Sequence, residues 1–231
     1  MSMTIRFRVD HRPRALELAE GQHLLAVRQA EHRPERFSWR PNQRHIPGYR
    51  WTVTNSGHVP HESQHEGVRV MLADFDPSVV RIVSQPFDLY HDDKLFQIPD
   101  LMLVHRDSTI TIVNVKRPDD AAKPKVREKF ARVTEDLAAV GWEHEVWTGS
   151  PRAFVANVDA LSAYMRPQLA LDLPVRPDAL HGLTYGEAVL VLEHLVGEDA
   201  RAYVGAALWR HDLVCDMDLP IERTTLLWSQ A

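Results

Sequence analysis

The chain has 231 residues, 44% of them hydrophobic and 26% charged, with a net charge of -5, which is ordinary for a globular protein and allows one large domain or one plus a small companion. The longest aliphatic run is Ala188 to Leu192, far short of the ~20 apolar residues of a membrane span, and Met1 to Arg6 lacks the apolar stretch of a secretory signal. The single cysteine, Cys215, excludes an internal disulfide and a multi-cysteine zinc site, so a reducing, cytoplasmic setting is expected.

In chain order, Ile5, Phe7 and Val9 alternate with polar residues as a short strand would. Residues 31–50 are rich in Arg, His, Pro and Asn without periodicity and read as an extended arm, so 1–50 is taken as a basic N-terminal arm. A helix is predicted over 63–75, with Val68, Met71, Leu72 and Phe75 on one face and Asp76-Pro77-Ser78 as its stop. Short strands follow near Arg81 to Val83 and Phe87 to Tyr90. Two apolar runs, Leu95 to Val104 and Thr109 to Val115, flank Arg106-Asp107-Ser108 and suggest a hairpin. Val126, Phe130, Val133, Leu137 and Val140 predict a helix from Pro124 to Val140, with Gly141 as its C-terminal cap. Glu143 to Trp147 reads as a strand, and Ser150-Pro151 opens a helix with Phe154, Val155, Val158 and Leu161 inward.

Pro167, Pro174 and Pro177 mark a linker. Helices are expected at Tyr185 to Val196 and Asp199 to Trp209, then short apolar segments near Leu213 to Leu219 and Thr224 to Trp228. The expected division is a basic arm (1–50), a catalytic α/β domain (51–168) and a C-terminal helical, winged-helix-like partner-binding module (169–231).

Charge is unevenly spread. Residues 1–50 carry ten cations and five anions, 51–168 carry 13 and 17, and 169–231 carry 4 and 10. Lys116 to Arg132 holds seven cations against three anions. A uniformly basic nucleic-acid binder is excluded, whereas the arm and this stretch remain available to a polyanion. The acidic end suits a protein partner better.

The hairpin carries the chemistry. With a three-residue loop at 106–108, opposed positions sum to 214 and Asp100 lies opposite Asn114. One face then reads Asp100, Met102, Val104, Ile110, Ile112, Asn114, Lys116, apolar near the turn and polar at the far end. Leu101, Leu103, Val113 and Val115 form the other face, so the hairpin is expected to be central. Two readings stay open: Asp100 and Lys116 as a structural ion pair, or Asp100, Asn114 and Lys116 as the metal and catalytic groups of a hydrolase. Glu66 likewise has two: a capping box with Ser63, or a helix-borne acid of the same site, with Glu62 as the fallback.

Pro99-Asp100 followed by Asn114-Val115-Lys116 resembles the layout of PD-(D/E)xK nucleases. The order Ser63-Gln64-His65-Glu66, Leu72 to Pro77, Ile82-Val83-Ser84-Gln85-Pro86-Phe87, Pro99-Asp100, Val113 to Pro118, Gly141-Trp142 and Val155-Ala156-Asn157 resembles the TnsA-like endonuclease subunit of heteromeric transposases, in its actinobacterial form, over roughly residues 40–166. The resemblance implies a restriction-endonuclease-like mixed central sheet flanked by helices. It implies Mg²⁺-dependent hydrolysis, with Mn²⁺ as substitute, of the 5′-ended strand at transposon ends, alongside a DDE-type transposase and an ATPase regulator. By motif position Glu66 is the helix-borne acid, Asp100 the central carboxylate, Asn114 the third ligand, Val115 the contributor of a backbone carbonyl and Lys116 the catalytic lysine. Asn114 stands where a family member has Gln and where many relatives of the wider fold have Asp or Glu. It is an uncharged and shorter ligand, so weaker metal affinity is expected. A stand-alone repair or restriction nuclease, or a catalytically silent adaptor, are the alternatives.

His61-Glu62-Ser63-Gln64-His65 matches the HExxH zinc-protease pattern. Pro60 and a Ser63 N-cap would leave His61 outside the helix and break the required i,i+4 pairing. No GxxxxGK, GxGxxG or GxSxG loop occurs, and Cys215 reads as a buried, inert thiol.

Overall fold

The computed structural model describes residues 3–18, 25–33, 46–165 and 171–230. The chain divides into two compact units, residues 1–149 and 150–231. It is a mixed α/β protein with several sheets and flanking helices.

The first unit begins with β1 (Met3–Val9) and β2 (Arg12–Glu17), joined through Asp10 and His11, both at positive φ as a two-residue primed hairpin turn requires. A short 3-10 helix (Leu25–Gln29) follows, then the hairpin β3 (Gly48–Thr52) and β4 (Gly57–His61). The helix α1 (Gln64–Phe75) leads to β5 (Val79–Ser84), β6 (Asp88–His91), β7 (Lys94–Gln97), β8 (Leu101–His105) and β9 (Ile110–Val115). A short α2 (Pro118–Ala121), the amphipathic α3 (Pro124–Ala138) and β10 (Glu143–Trp147) complete the unit.

Two four-stranded sheets result, in the orders β2-β1-β6-β7 and β10-β9-β8-β5. The second is mixed: β10 runs parallel to β9 across the α3 crossover, whereas β8 is antiparallel to both β9 and β5. Both faces of the β8–β9 hairpin are covered. Met102, Val104, Ile110 and Ile112 pack with Phe130, Val133 and Leu137 of α3 and with Ile5, Phe7 and Leu89 of the other sheet. Leu101, Leu103, Val113 and Val115 pack with Val70 and Ala73 of α1 and with Val59 and Trp147. Gly141 adopts φ 78 and Trp142 N donates to Leu137 O, so the expected glycine cap ends α3.

Three expectations change. Residues 3–18 are two strands of a sheet rather than part of an arm, and Gly48 to Arg50 belong to the β3–β4 hairpin; residues 34–45 of that expected arm lie outside the described residues. The run from Leu95 to Val104 is not one strand. Asp92 and Asp93, both at positive φ, turn β7 back onto β6, and Ile98-Pro99 separates it from β8. The division also falls at Gly149/Ser150, so the helix at 152–162 is in the second unit.

That second unit contains α4 (Arg152–Ser162), a 3-10 turn (Pro177–Leu180), α5 (Tyr185–Val196), α6 (Ala200–Trp209) and the two-residue strands β11 (Leu213–Val214) and β12 (Trp228–Ser229), which pair antiparallel. Thr184 and Glu187 form a capping box on α5. Buried Asn157 donates to the carbonyls of Met217 and Leu219 and accepts from Ile221 N, fixing the 217–221 segment. Cys215 follows β11 and is half-buried, and burial pushes its thiol up to about 11. Among the described residues no helix is long and apolar enough to cross a membrane.

Candidate active site at the open end of the central hairpin

The register of β8 and β9 is the one that the three-residue loop dictates. Leu101 faces Val113, Met102 faces Ile112, Leu103 faces Thr111 and Val104 faces Ile110. Ser108, at φ 77, supplies the left-handed residue of such a loop. One step beyond Leu101, Asp100 N donates to Val113 O and Asp100 O accepts from Gln85 N, so Asp100 extends the ladder between β9 and the end of β5.

The side chains of Asp100, Asn114 and Lys116 are brought together. Asp100 Oδ2 accepts from Val115 N at 2.6 Å and from Asn114 Nδ2 at 3.4 Å, and lies 3.6 Å from Lys116 Nζ. Lys116 Nζ also donates to Val115 O at 2.9 Å. All three contacts of the carboxylate use Oδ2, leaving Oδ1 as the oxygen that none of them occupies. Burial pushes the Asp100 carboxyl above its usual range, and Lys116, Val115 N and Asn114 offset part of that rise.

Glu66 sits in the first turn of α1. Ser63 is the N-cap, its Oγ accepting from Glu66 N at 3.2 Å and donating to Glu66 Oε1 at 2.9 Å, while Glu66 Oε2 accepts from Glu62 N at 2.8 Å. Capping is therefore present. The same carboxyl is raised, first by burial and further by the charge of Asp100, which places the two acids in each other's field. Glu62 is exposed and contributes its backbone N–H to Glu66.

Three supporting roles escaped the sequence reading. His144 on β10 donates from Nε2 to Asn114 Oδ1 at 3.1 Å, and its Nδ1 lies 2.8 Å from Thr134 Oγ1. Burial lowers its pKa to about 4, so the ring is neutral near pH 7. This contact accounts for a fully buried Asn114 whose amide is bonded at both ends. His65 donates to Lys116 O at 3.3 Å and lies against Trp147, ring centroids 4.5 Å apart; Lys116 N donates to Trp147 O. Lys129, one turn before Val133 on α3, has its pKa lowered by burial and by the charge of Lys116. The alternation of β10 could have pointed to His144, because His144 and Val146 share a face. The parallel register that pairs Val146 with Asn114 depends on the α3 crossover and has no local signature.

The HExxH residues do not form a pair on a helix. His61 ends β4 and is buried, its ring so close to Gly48 and Gly67 that an added Cβ would lie 2.9 and 3.1 Å from it. His65 is on α1 and faces Lys116 O.

Among the described residues, no group of three or more His, Cys, Asp or Glu is placed to hold a metal ion. The donors at this site are two carboxylates, an amide and the carbonyl of Val115. By type these are the oxygen ligands that a hard divalent cation takes with water completing its shell. In the structure Asn114 Oδ1 is bonded to His144, the Glu66 oxygens to Ser63 and Glu62, and the Val115 carbonyl to Lys116 Nζ, so Asp100 Oδ1 is the donor left open. No protein-family model matches the chain, and no curated protein matches it.

Proposed function

We propose that this chain is a divalent-metal-dependent endodeoxyribonuclease of restriction-endonuclease-like fold, acting as the TnsA-like subunit of a heteromeric transposase in the cytoplasm. The observation that carries this reading is the convergence of Asp100, Asn114 and Lys116 at the end of a doubly covered hairpin, with Glu66 in the field of Asp100. A fully buried amide with a partly buried acid and ammonium beside it is costly to retain where apolar residues would pack, unless the three serve a purpose together.

Asp100, Glu66, Asn114 and the Val115 carbonyl would hold Mg²⁺, or Mn²⁺ in its place. The cation would supply Lewis-acid activation of the attacking water and neutralise charge on the phosphate. Lys116 places a positive charge beside Asp100, where it stabilises negative charge developing on a scissile phosphate and orients the nucleophile. His65 and Trp147 fix the Lys116 backbone, and His144 fixes the Asn114 amide, so the reactive groups are set before substrate arrives. Transposon-end DNA, a DDE-type transposase joining the 3′ ends and an ATPase regulator are the partners of this reading.

A second reading has its own observation. Asn114 presents Nδ2, not Oδ1, to Asp100, and Glu66 is committed to capping, which favours a catalytically silent adaptor of the same complex. The two separate in one assay. End-labelled transposon DNA, the transposase and Mg²⁺ are combined with wild-type protein or Asp100→Ala. Nicking of the 5′-ended strand by wild type alone supports the nuclease; an intact strand with both proteins refutes it.

A further inference from the structure

Outside the proposed site the molecule carries a cleft of about 460 Å³ walled by β1, β2 and the Gln85 to Asp88 segment, and four arginines line it: Arg6, Arg8, Arg14 and Arg33. Glu31 and Asp88 also line it, so the cleft keeps an excess of two positive charges. Its acids are already engaged: Asp88 pairs with Arg33 at 3.0 Å, and Glu31 binds the His11 backbone and ring at 2.9 and 3.2 Å. Arg8 donates to His11 O at 2.8 Å, and Arg6 pairs at 3.4 Å with Asp93, which is almost wholly exposed. Arg14 is exposed and has no acidic partner among the described residues.

Position gives this charge its meaning. Arg6 and Arg8 point to the same side of β1, two residues and so about 7 Å apart, a spacing suited to a ligand that repeats its negative charge. The far wall adjoins the backbone of Asp100, since Gln85 lines the cleft and its N–H donates to the Asp100 carbonyl. Gln85 also holds φ 44, in the left-handed region that non-glycine residues seldom occupy.

We infer that this cleft binds the phosphodiester backbone of duplex DNA and delivers one strand past Asp100. The inference rests on the nuclease reading for its purpose and stands on the cleft's own charge and position for its ligand. Backbone contacts of this kind set register and orientation without reading sequence.

The test is fluorescence anisotropy of the full chain with a labelled duplex of arbitrary sequence, in EDTA so that no cleavage intrudes. Wild type is compared with Arg8→Ala/Arg14→Ala and with Arg14→Glu, which disturbs no described contact. Arg106→Ala, at the hairpin turn away from Asp100, is the control. Between about 50 and about 200 mM salt, the double variant should bind at least about tenfold more weakly, with a log–log salt slope shallower by about 2, as loss of two phosphate contacts requires. Arg14→Glu should lose affinity in the same direction, and Arg106→Ala should match wild type. No binding by wild type, or variants that bind within about twofold of the control, would overturn the inference. The two proposals fail separately. DNA bound through these arginines but left uncut by wild type with its partner in Mg²⁺ removes the nuclease alone. Asp100-dependent cutting with undiminished binding by the arginine variants removes the cleft alone.

Discussion

Replacing Asn114 by Asp adds a carboxylate beside Asp100 and tests what the pair is for. In the wild type the amide nitrogen lies 3.4 Å from Asp100 Oδ2, within a site whose Asn114 is fully buried. Two carboxylate oxygens at that separation repel by about 5 kcal/mol at an effective dielectric of about 20. Lys116, 3.6 Å from Asp100, offsets part of this, and uptake of a proton by one acid caps the remainder. The expected net loss in Asn114→Asp is about 2–4 kcal/mol of unfolding free energy at neutral pH in EDTA, measured by urea denaturation. In millimolar Mn²⁺ the same variant should recover to within about 1 kcal/mol of wild type, because a cation held only by the folded state stabilises it by mass action. The deficit should also shrink on acidification, as one of the two acids takes up its proton. An equal deficit with and without Mn²⁺ would refute the assignment of these side chains as a cation site.

Asp100 and Glu66 both have folded pKa values raised by burial, so the folded state binds more protons than the unfolded chain between the ordinary and the raised values. Stability should therefore fall as pH rises from about 4 through the raised values, and Asp100→Asn should make that fall shallower in urea titrations across the window; an unchanged slope would count against the burial of this acid. His144→Leu leaves Asn114 Oδ1 buried without its donor, an expected cost of about 1–3 kcal/mol by urea denaturation, and should weaken Mn²⁺ binding about 10- to 100-fold by calorimetry. Asn157→Ala strands two carbonyls and one N–H of the 217–221 segment and should cost about 2–4 kcal/mol, read as a lower melting temperature. Gly205→Ala places a methyl group against the Tyr164 ring and should destabilise by about 1–3 kcal/mol in the same assay.

Where local rules dominate, the sequence foretells the structure closely. Ser63 caps α1, Gly141 ends α3, and the residues Arg106-Asp107-Ser108 set a register that places Asp100 across from Asn114. The β1–β2 and β6–β7 turns were not legible, because Asp10-His11 and Asp92-Asp93 take up positive φ without the glycine that normally announces such turns. The β3–β4 hairpin is held from outside its own segment: Asp74 of α1 accepts from the N–H groups of Val53 and Thr54 at the turn. The same holds at the candidate site. Asp100, Asn114 and Lys116 share a face by strand periodicity alone, whereas His144 reaches Asn114 through a parallel pairing and His65 reaches Lys116 from a separate helix. The cleft arginines come from both β1–β2 and residue 33, which lies outside any strand, and only the folded chain brings Arg33 to them.

Calorimetric titration of Mn²⁺ and Mg²⁺ into wild type and Asp100→Ala tests the central claim most directly, with the urea stability of the variant confirming that it remains folded. Binding to wild type that disappears in Asp100→Ala is the predicted result. Equal heats for both proteins, or no binding to either at millimolar metal, would contradict a cation site built on Asp100.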